Sequence, residues 1–425
     1  MPDQSSCTHI RFFREAAPYI QAHKGKTFVI ALSSSLLDSD SFTQIISDIA
    51  ILSTLGVKLI LVHGTRNQLE QAIQQQKLSS KFHKSLRITT PQILEISKNI
   101  VGRVRVDIEN KLSYALNTPP IINTGLSIIS GNFITAKPIG VHDGIDYQYT
   151  GQVRKITQVQ IQQQLDHHNI VLLSPLGLSP TGKAYNLHYE EVATQVANIL
   201  SADKLIFLRN TPDKLPRELT LQEAKQHQAI KPMIQRIESA LNAGVSRVHL
   251  INANDDGGIL LELYTRDGSG TLISTKQYEE ISQAQISDIS GILELIRPLE
   301  EKGILIKRSR EQLELEINNF IVIKRDQKVI ACAALYPIAN SNVSELACLV
   351  VDDNYRGQKK GDTLLNFAEK LAKTHGSKKL LVLTTQTTDW FQERGFKLGD
   401  VEDLPGAKKT LYNYQRNSLI LFKEL

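Results

Sequence analysis

At roughly 150 residues per domain, the 425 residues imply two or three domains, and a chain that is 41% hydrophobic and 22% charged shows no signature of disorder or a fibre. The 49 basic and 44 acidic residues leave a net charge of +5 spread along the chain, without the polybasic tail or aromatic-broken basic stripe that nucleic acid would require. No run approaches about 18 uncharged apolar residues, and "MPDQSSCTHIRFFREAAPYI" lacks the apolar core of a signal peptide, so a cytoplasmic protein with neither a membrane nor a nucleic-acid partner is expected.

In chain order, Thr8 to His23 reads as a helix exposing Phe12, Phe13 and Tyr19, a shape suited to contact with another subunit. "TFVIAL" reads as a buried strand, but it runs into Ser33, Ser34 and Ser35 where a phosphate-binding turn would carry glycines. A helix over Ser41 to Leu55 follows, with Phe42, Ile45, Ile46, Ile49 and Leu52 at the helical period. The short apolar runs "VKLILVHG", "NIVLLSPLG", "KLIFL" and "RVHLIN" alternate with amphipathic segments, which predicts an open, mainly parallel sheet with helices on both faces. Between Ile134 and Ile156 the chain reads as a hairpin excursion punctuated by Gly140, Gly144 and Gly151.

Three features of the sequence offer no ligand site by themselves. "GLSPTGKA" nearly matches a phosphate loop, yet Ala184 stands where the metal-binding hydroxyl belongs and Pro180 removes a cradle N–H, so a structural loop is expected. "DHH" at Asp166 reads as a helix end rather than a metal site. Cys7, Cys332 and Cys348 have no zinc-ligand spacing, and the last two lie in apolar strands as small core residues, so no metal is expected.

After "GSGTLI" the texture changes. The polar "STKQYEEISQAQ" reads as a linker, followed by a smaller α/β unit with a mixed sheet: strand "AQISD", helices "ISGILELIRPLE" and "REQLELEINN", and strands "FIVIKR", "VIACAALYP" and "SELACLVV". A helix from Gly361, strand "KKLLVLTT", helix "TDWFQERGF" and strand "NSLILF" complete it. The expected domains are therefore 1–275 and 280–425.

"ELACLVVDDNYRGQKKGDTLLNFAEKLA" carries the most chemistry. An apolar strand leads through a basic, glycine-bearing turn into a helix start, where free N–H groups and the positive dipole end converge on an anion. Gln358, Lys359, Lys360, Gly361 and Asp362 fit the Gln/Arg-x-x-Gly-x-Gly/Ala signature of GNAT acetyltransferases as far as Thr363, which replaces a small residue. Transfer of an acetyl group from a thioester to an amine needs a base, oxyanion donors and a proton for the thiolate. The backbone of Cys348, Leu349 and Val350 is the candidate for the thioester, Glu345 for the amine proton, and Thr384 or Thr385 for the sulfur.

Together with "GILELIRPLEEKGILIKRSREQLELEI", "IACAALYP", "WFQERGF", "LYNYQRNSL" and "SGNFITAKPIGVHDGIDYQYTGQVRKI", these residues make nearly the whole chain resemble the bacterial two-domain N-acetylglutamate synthases, an amino-acid-kinase-like domain fused to a GNAT domain. The resemblance implies acetyl transfer from acetyl-CoA to the α-amine of L-glutamate, the entry step of arginine synthesis. Arg308 and Arg416 match the family's substrate-binding arginines, with Lys307 and Ser418 nearby. Glu345 matches the base, and Thr384 falls where relatives carry a serine assigned as acid.

In the first domain Ala31 stands where amino-acid kinases carry a lysine, Ser33 and Ser34 replace glycines, Thr65 and Arg66 follow Gly64, and Glu190 replaces an aspartate. Phosphoryl transfer, and with it ATP, is not expected. Tyr19, Lys204, His249, Glu262 and Gly268 match the family's arginine site, which implies feedback inhibition by L-arginine. The resemblance also implies a homo-oligomer, a hexamer built partly through the N-terminal helix. Two alternatives stay open on the residues alone: another amino-acid acceptor, or a catalytically silent amino-acid sensor, for which Thr363 is the main support.

Overall fold

A computed structural model describes residues 4–118, 121, 125–210, 215–275, 279–325, 328–410 and 418–425. The chain divides into two compact units, Met1–Lys276 and Gln277–Leu425.

The first unit begins with helix α1 (Gln4–His23) and is built on eight strands: β1 (Thr27–Leu32), β2 (Lys58–His63), β3 (Ile128–Ile129), β4 (Ile170–Leu173), β5 (Lys204–Arg209), β6 (Glu218–Thr220), β7 (Arg247–Asn252) and β8 (Thr271–Ser274). Their order across the sheet is β6-β8-β7-β5-β1-β2-β4-β3. Every pair is parallel except β7 with β8. The unbroken run "FVIAL" follows from this position. Phe28, Ile30 and Leu32 pack on one face with helix α2 (Phe42–Thr54) and the long helix Pro91–Asn117. Val29 and Ala31 pack on the other with helix α3 (Tyr189–Leu200). A strand covered on both faces has no position left for a polar residue. Helix α4 (Gly258–Tyr264) lies between β7 and β8 in the chain.

Ile134–Pro138 and Gly151–Ile156 pair antiparallel, as the glycine punctuation predicts, within a separate four-stranded sheet. "GLSPTGKA" is the turn of a second hairpin in that sheet: Leu178 pairs with Ala184, and Gly182 supplies the left-handed turn residue at φ +79°. No helix opens directly behind it, so it offers no anion cradle. Asp166 ends the helix Gln158–Asp166 and pairs with Lys58.

The second unit has seven strands: β9 (Glu279–Gln283), β10 (Phe320–Arg325), β11 (Lys328–Pro337), β12 (Val343–Val351), β13 (Lys379–Thr384), β14 (Lys397–Gly399) and β15 (Leu419–Glu424). Its helices include α5 (Ile289–Glu301), α6 (Arg310–Glu316), α7 (Lys360–Thr374), α8 (Thr388–Gln392) and α9 (Gly406–Lys409). The order is β9-β10-β11-β12-β13-β15-β14, and β12 with β13 is the one parallel pair. The reading of "STKQYEEISQAQ" as linker and "AQISD" as first strand needs correction. "EEISQ" is an edge strand antiparallel to β10, and Ile286–Asp288 is a 3-10 turn. Its polar residues disguised it, and an edge strand tolerates them because its outer side meets water.

β12 and β13 are paired only at Val343–Lys379, Ser344–Leu380 and Glu345–Leu381. Beyond Glu345 the strands part, and β13 continues against β15. One face of this sheet packs on α7 and α8. The other carries two separate apolar clusters, one under α5 and α6 and one around Leu404, and the parting strands run between them.

Candidate active site

The parting of β12 and β13 is produced locally by a bulge. The β11–β12 register shifts between Cys332 and Ala334, and across from it Cys348 takes φ +53°. A non-glycine residue in this region costs about 1–2 kcal/mol, and such strain clusters at functional sites. The Cys348 carbonyl is turned toward β11, 3.8 Å from Cys332 Sγ. In a planar trans peptide the following N–H points the opposite way, so the Leu349 N–H faces the opening. Both thiols are free and buried. Their mutual interaction raises the Cys332 pKa, with burial adding to it, and lowers that of Cys348 against the effect of burial.

Glu345, 8% exposed, occupies the last paired position before the strands separate. It lies directly opposite Tyr336 on β11, so the two side chains leave the same face of the sheet. The Tyr336 hydroxyl donates to Glu316 Oε2 at 2.6 Å, and burial, reinforced by this bond, pushes the phenol pKa up. Arg308, between α5 and α6, is half-buried beside this pair. Its backbone N–H donates to Glu300 Oε1 at 2.9 Å and its Nη1 to the Ile306 carbonyl at 3.2 Å. Burial draws its pKa down, but Cys348, Tyr336 and Glu316 outweigh burial and hold it above the ordinary guanidinium value. The opposite flank of Glu345 is closed by Lys408 on α9, whose Nζ pairs with Glu345 Oε2. Lys307 is exposed, Ser418 is half-buried just ahead of β15, and Arg416 lies outside the described residues.

Thr384 ends β13. Its Oγ1 accepts the N–H groups of Gln386 at 3.3 Å and Thr387 at 3.2 Å and lies 3.0 Å from Thr387 Oγ1. With its lone pairs so engaged, the hydroxyl proton is the part it can offer to another group.

The phosphate turn is defined by positive φ at Gly357 (+78°) and Lys359 (+59°), the latter capping α7. Thr363 is exposed, and its Oγ1 donates back to the Lys359 carbonyl at 3.1 Å. The side chain that replaces a small residue is thus directed away from the N–H groups of the helix start. Gly361 is required because a Cβ there would lie 2.9 Å from Trp390 Cζ2. Arg394 covers the other side of the indole, 3.9 Å from its centroid, and its Nε donates to Asp362 Oδ1 at 2.5 Å. Lys360 pairs with Glu279, which leaves Gln358 and Lys359 exposed at the turn.

Four residues that sequence reasoning missed complete this picture. Tyr336 and Lys408 flank Glu345, and Arg394 with Trp390 braces the phosphate turn. Trp390 and Arg394 stood inside a recognised motif, but Lys408 in "GAKKT" carries no local signal.

In the first unit, Lys204 and His249 lie on neighbouring parallel strands, with Ile206 opposite His249. Lys204 Nζ is 3.5 Å from His249 Nε2 and His249 Nδ1 is 2.6 Å from Glu262 Oε1. Glu262 Oε2 accepts the N–H groups of Ser269 at 2.8 Å and Gly270 at 2.7 Å. Burial opposes ionisation of Glu262, but the bonds from His249, Gly270 and Ser269 prevail and lower its pKa. Gly268, at φ +61°, is obligatory, since any Cβ there would collide with Glu262 Oε2. Tyr19 on α1 lies one helical turn before His23, their rings 6.5 Å apart. His23, which the sequence reading missed, packs 5.3 Å from Phe28 and 5.5 Å from Tyr264, with a buried Nδ1 that has no hydrogen-bond partner.

At the carboxyl ends of β1 and β2 the residues pack closely against one another. A Cβ on Gly64 would lie 3.0 Å from the Tyr189 ring and 3.2 Å from Ser34 N. Ser33 Oγ is 3.1 Å from Ser35 Oγ, and Ser34 bonds Asn67 at 3.2 Å. Arg236 holds Glu190 at 3.1 Å, and His63 Nε2 is 2.8 Å from Ser174 Oγ. Among the described residues no cluster of three or more His, Cys, Asp or Glu side chains could hold a metal ion, and no helix is long and apolar enough to cross a membrane.

The amino acid kinase family matches residues 26–252 and the GNAT acetyltransferase family residues 289–396. Amino-acid acetyltransferases from Azotobacter vinelandii and Pasteurella multocida are each 46% identical to this chain over 98% of its length, covering 99% and 98% of their own. Among solved structures, N-acetylglutamate synthase from Neisseria gonorrhoeae complexed with coenzyme A and L-arginine is 36% identical, with a TM-score of 0.87 over 98% of this chain and 99% of that one. The same enzyme complexed with coenzyme A and N-acetyl-glutamate is 37% identical, with a TM-score of 0.61 over the same shares.

Proposed function

The chain belongs to the amino-acid acetyltransferases, and from that premise we propose that it transfers the acetyl group of acetyl-CoA to the α-amine of L-glutamate, giving N-acetyl-L-glutamate and coenzyme A. The observation that carries this reading is Glu345, a carboxylate held at the point where β12 and β13 part, on the same sheet face as Tyr336. Glu345 takes a proton from the substrate ammonium, directly or through one water, leaving a neutral amine to attack the thioester carbonyl. The Leu349 N–H, aimed into the opening by the Cys348 bulge, bonds the oxyanion that develops. Thr384 supplies the proton to the departing thiolate. The α7 N-terminus with Gln358 and Lys359 receives the pyrophosphate. Arg308, and Arg416 with Ser418, read the carboxylates of the substrate, where a guanidinium forms bidentate bonds.

In the first unit the same reading assigns feedback inhibition by L-arginine to the Glu262 site. Glu262 is a buried carboxylate for a guanidinium, and the Gly268–Gly270 turn presents main-chain groups. The exposed Phe12 and Phe13 of α1 support a homo-oligomer.

A free-thiol assay with a panel of amino acids tests the reaction. L-Glutamate should be the preferred acceptor, and Glu345→Gln should lower kcat by about 10²–10⁴-fold while coenzyme A affinity is retained. Preference for another amino acid would overturn the substrate, and full turnover by Glu345→Gln would overturn the base.

A further inference from the structure

The phosphate turn is a run of exposed residues, 356–359, between two fastened ends. At its front end Tyr355, 1% exposed, closes the 3-10 turn Asp353–Tyr355, and its carbonyl accepts the Gln358 N–H at 3.4 Å. The guanidinium of Arg325 lies 5.6 Å from the centre of the Tyr355 ring. At the far end Lys360, the first residue of α7, gives its ammonium to Glu279. Arg325 and Glu279 are themselves neighbours, directly opposed across β9 and β10. Opposed residues leave the same face of a sheet, and Ile281, on the same face of β9 as Glu279, packs into the cluster under α7 and α8. Both ends of the turn are therefore fastened to one cross-strand position at the edge of the sheet.

The sequence assigns Lys360 to coenzyme A as one more cation for the pyrophosphate. Its ammonium is committed instead to a carboxylate, with side-chain exposures of 16% for the lysine and 20% for Glu279. Removing one partner from a pair so sheltered from water is costly to the other, and here it also releases the first residue of the helix. Gln358 and Lys359 keep exposed side chains, and the start of α7 offers its own N–H groups. Such groups serve an anion best when they are held in place beforehand, because a loop ordered only on binding loses affinity to the entropy of ordering it. Arg394 and Asp362 hold the helix start from a second direction. What Lys360 contributes is position, and Glu279 sets it.

We infer that Glu279 is a positioning residue for coenzyme A, and that Lys360 is the anchor of the phosphate turn and not a ligand of the phosphates. The inference rests on the turn before α7 as the pyrophosphate site. It gives the polar edge strand β9, which reads in sequence as linker, a part in binding the coenzyme that it never touches.

The test is calorimetric titration of coenzyme A into the full-length enzyme and four variants. Glu279→Gln and Lys360→Met should each weaken binding about tenfold, and the two together should be no more than about twofold weaker than either alone. Exchanging the charges, Glu279→Lys with Lys360→Glu in one chain, should bring the affinity back to within about threefold of the unsubstituted enzyme. The KM for the amino-acid acceptor should stay within about twofold in all four, which reports an intact acceptor site. A lysine that meets the phosphates gives another pattern: Lys360→Met binds weakly, Glu279→Gln does not, and the exchanged pair, with a carboxylate beside the pyrophosphate, binds worst. That pattern would overturn the inference, as would losses that add in the double variant or single variants that both keep their affinity. Failure of the turn as the phosphate site is seen separately: Gly361→Ala would then keep its affinity too, whereas failure of the anchor alone leaves Gly361→Ala impaired.

Discussion

Lowering the pH from 7 to 5 should destabilise the N-terminal unit far more than the C-terminal unit. Four histidines are held neutral inside the first unit. Burial, aided by Lys204, Arg247 and His249, lowers His23 from the ordinary 6.5 to about 3. Burial lowers His63 and His188 to about 4 each, and burial with Lys204 lowers His249 to about 4. A histidine whose folded pKa lies below its unfolded value contributes stability that is fully present above the unfolded pKa. That stability is lost as the pH falls from 6.5 toward 4. At pH 5 the unfolded chain carries a proton on each ring that the folded unit refuses, at a cost of about 2 kcal/mol per histidine relative to pH 7, or about 8 kcal/mol together. Asp48 acts the other way: burial, then the neighbouring Asp256, raise it to about 6, so protonation in the folded state returns about 1 kcal/mol over the same interval. The net loss of about 7 kcal/mol rivals the whole stability of many domains and corresponds to a fall of about 15–25 °C in the unit's transition. The C-terminal unit holds one histidine, His375, and it is solvent-exposed. Thermal unfolding of the full chain at the two pH values, followed segment by segment by hydrogen exchange, is the assay. His63→Asn, with nothing to titrate, should recover about 2 kcal/mol of the acid loss. A first-unit transition that does not move between pH 7 and 5 would refute the reasoning.

Two further substitutions address the binding sites. Gly361→Ala places a Cβ 2.9 Å from Trp390 Cζ2, so the indole must shift and loosen the Arg394–Asp362 brace. Coenzyme A should bind about tenfold more weakly, a change of about 1.4 kcal/mol, read from the fluorescence of the chain's single tryptophan; unchanged affinity would argue against the brace. Glu262→Gln removes the charge that meets His249, Ser269 and Gly270. Inhibition by L-arginine should then need at least about 30-fold more arginine, with uninhibited turnover within about twofold; full sensitivity in a folded variant would dismiss Glu262 as the guanidinium partner.

What could be read without coordinates was local. "FVIAL" and "VKLILVHG" announce buried parallel strands because both of their faces are covered, so their composition carries the fold directly. The candidate phosphate turn was legible because strand, basic glycine-bearing turn and helix start are consecutive, so the N–H groups that would meet an anion belong to one stretch of chain. The serines after β1 were legible as a departure from a phosphate turn, but not the contacts made there. Tyr189 over Gly64 comes from a distant helix.

Thr363 looked damaging in sequence and is harmless in the fold, because its rotamer returns the hydroxyl to the Lys359 carbonyl. "EEISQ" was misread because an edge strand need not alternate cleanly, and only its partner β10 declares it. The amino-acid sequence alone thus determined the two α/β folds and the acyl-transfer chemistry and pointed to Glu345 as its candidate carboxylate, since each is written in neighbouring residues. Tertiary structure decided the surroundings of that carboxylate: Tyr336 across from it, the parting of β12 and β13 beside it and Lys408 upon it. Pairings between residues far apart in the chain follow from register and packing, and these leave no trace in any single stretch.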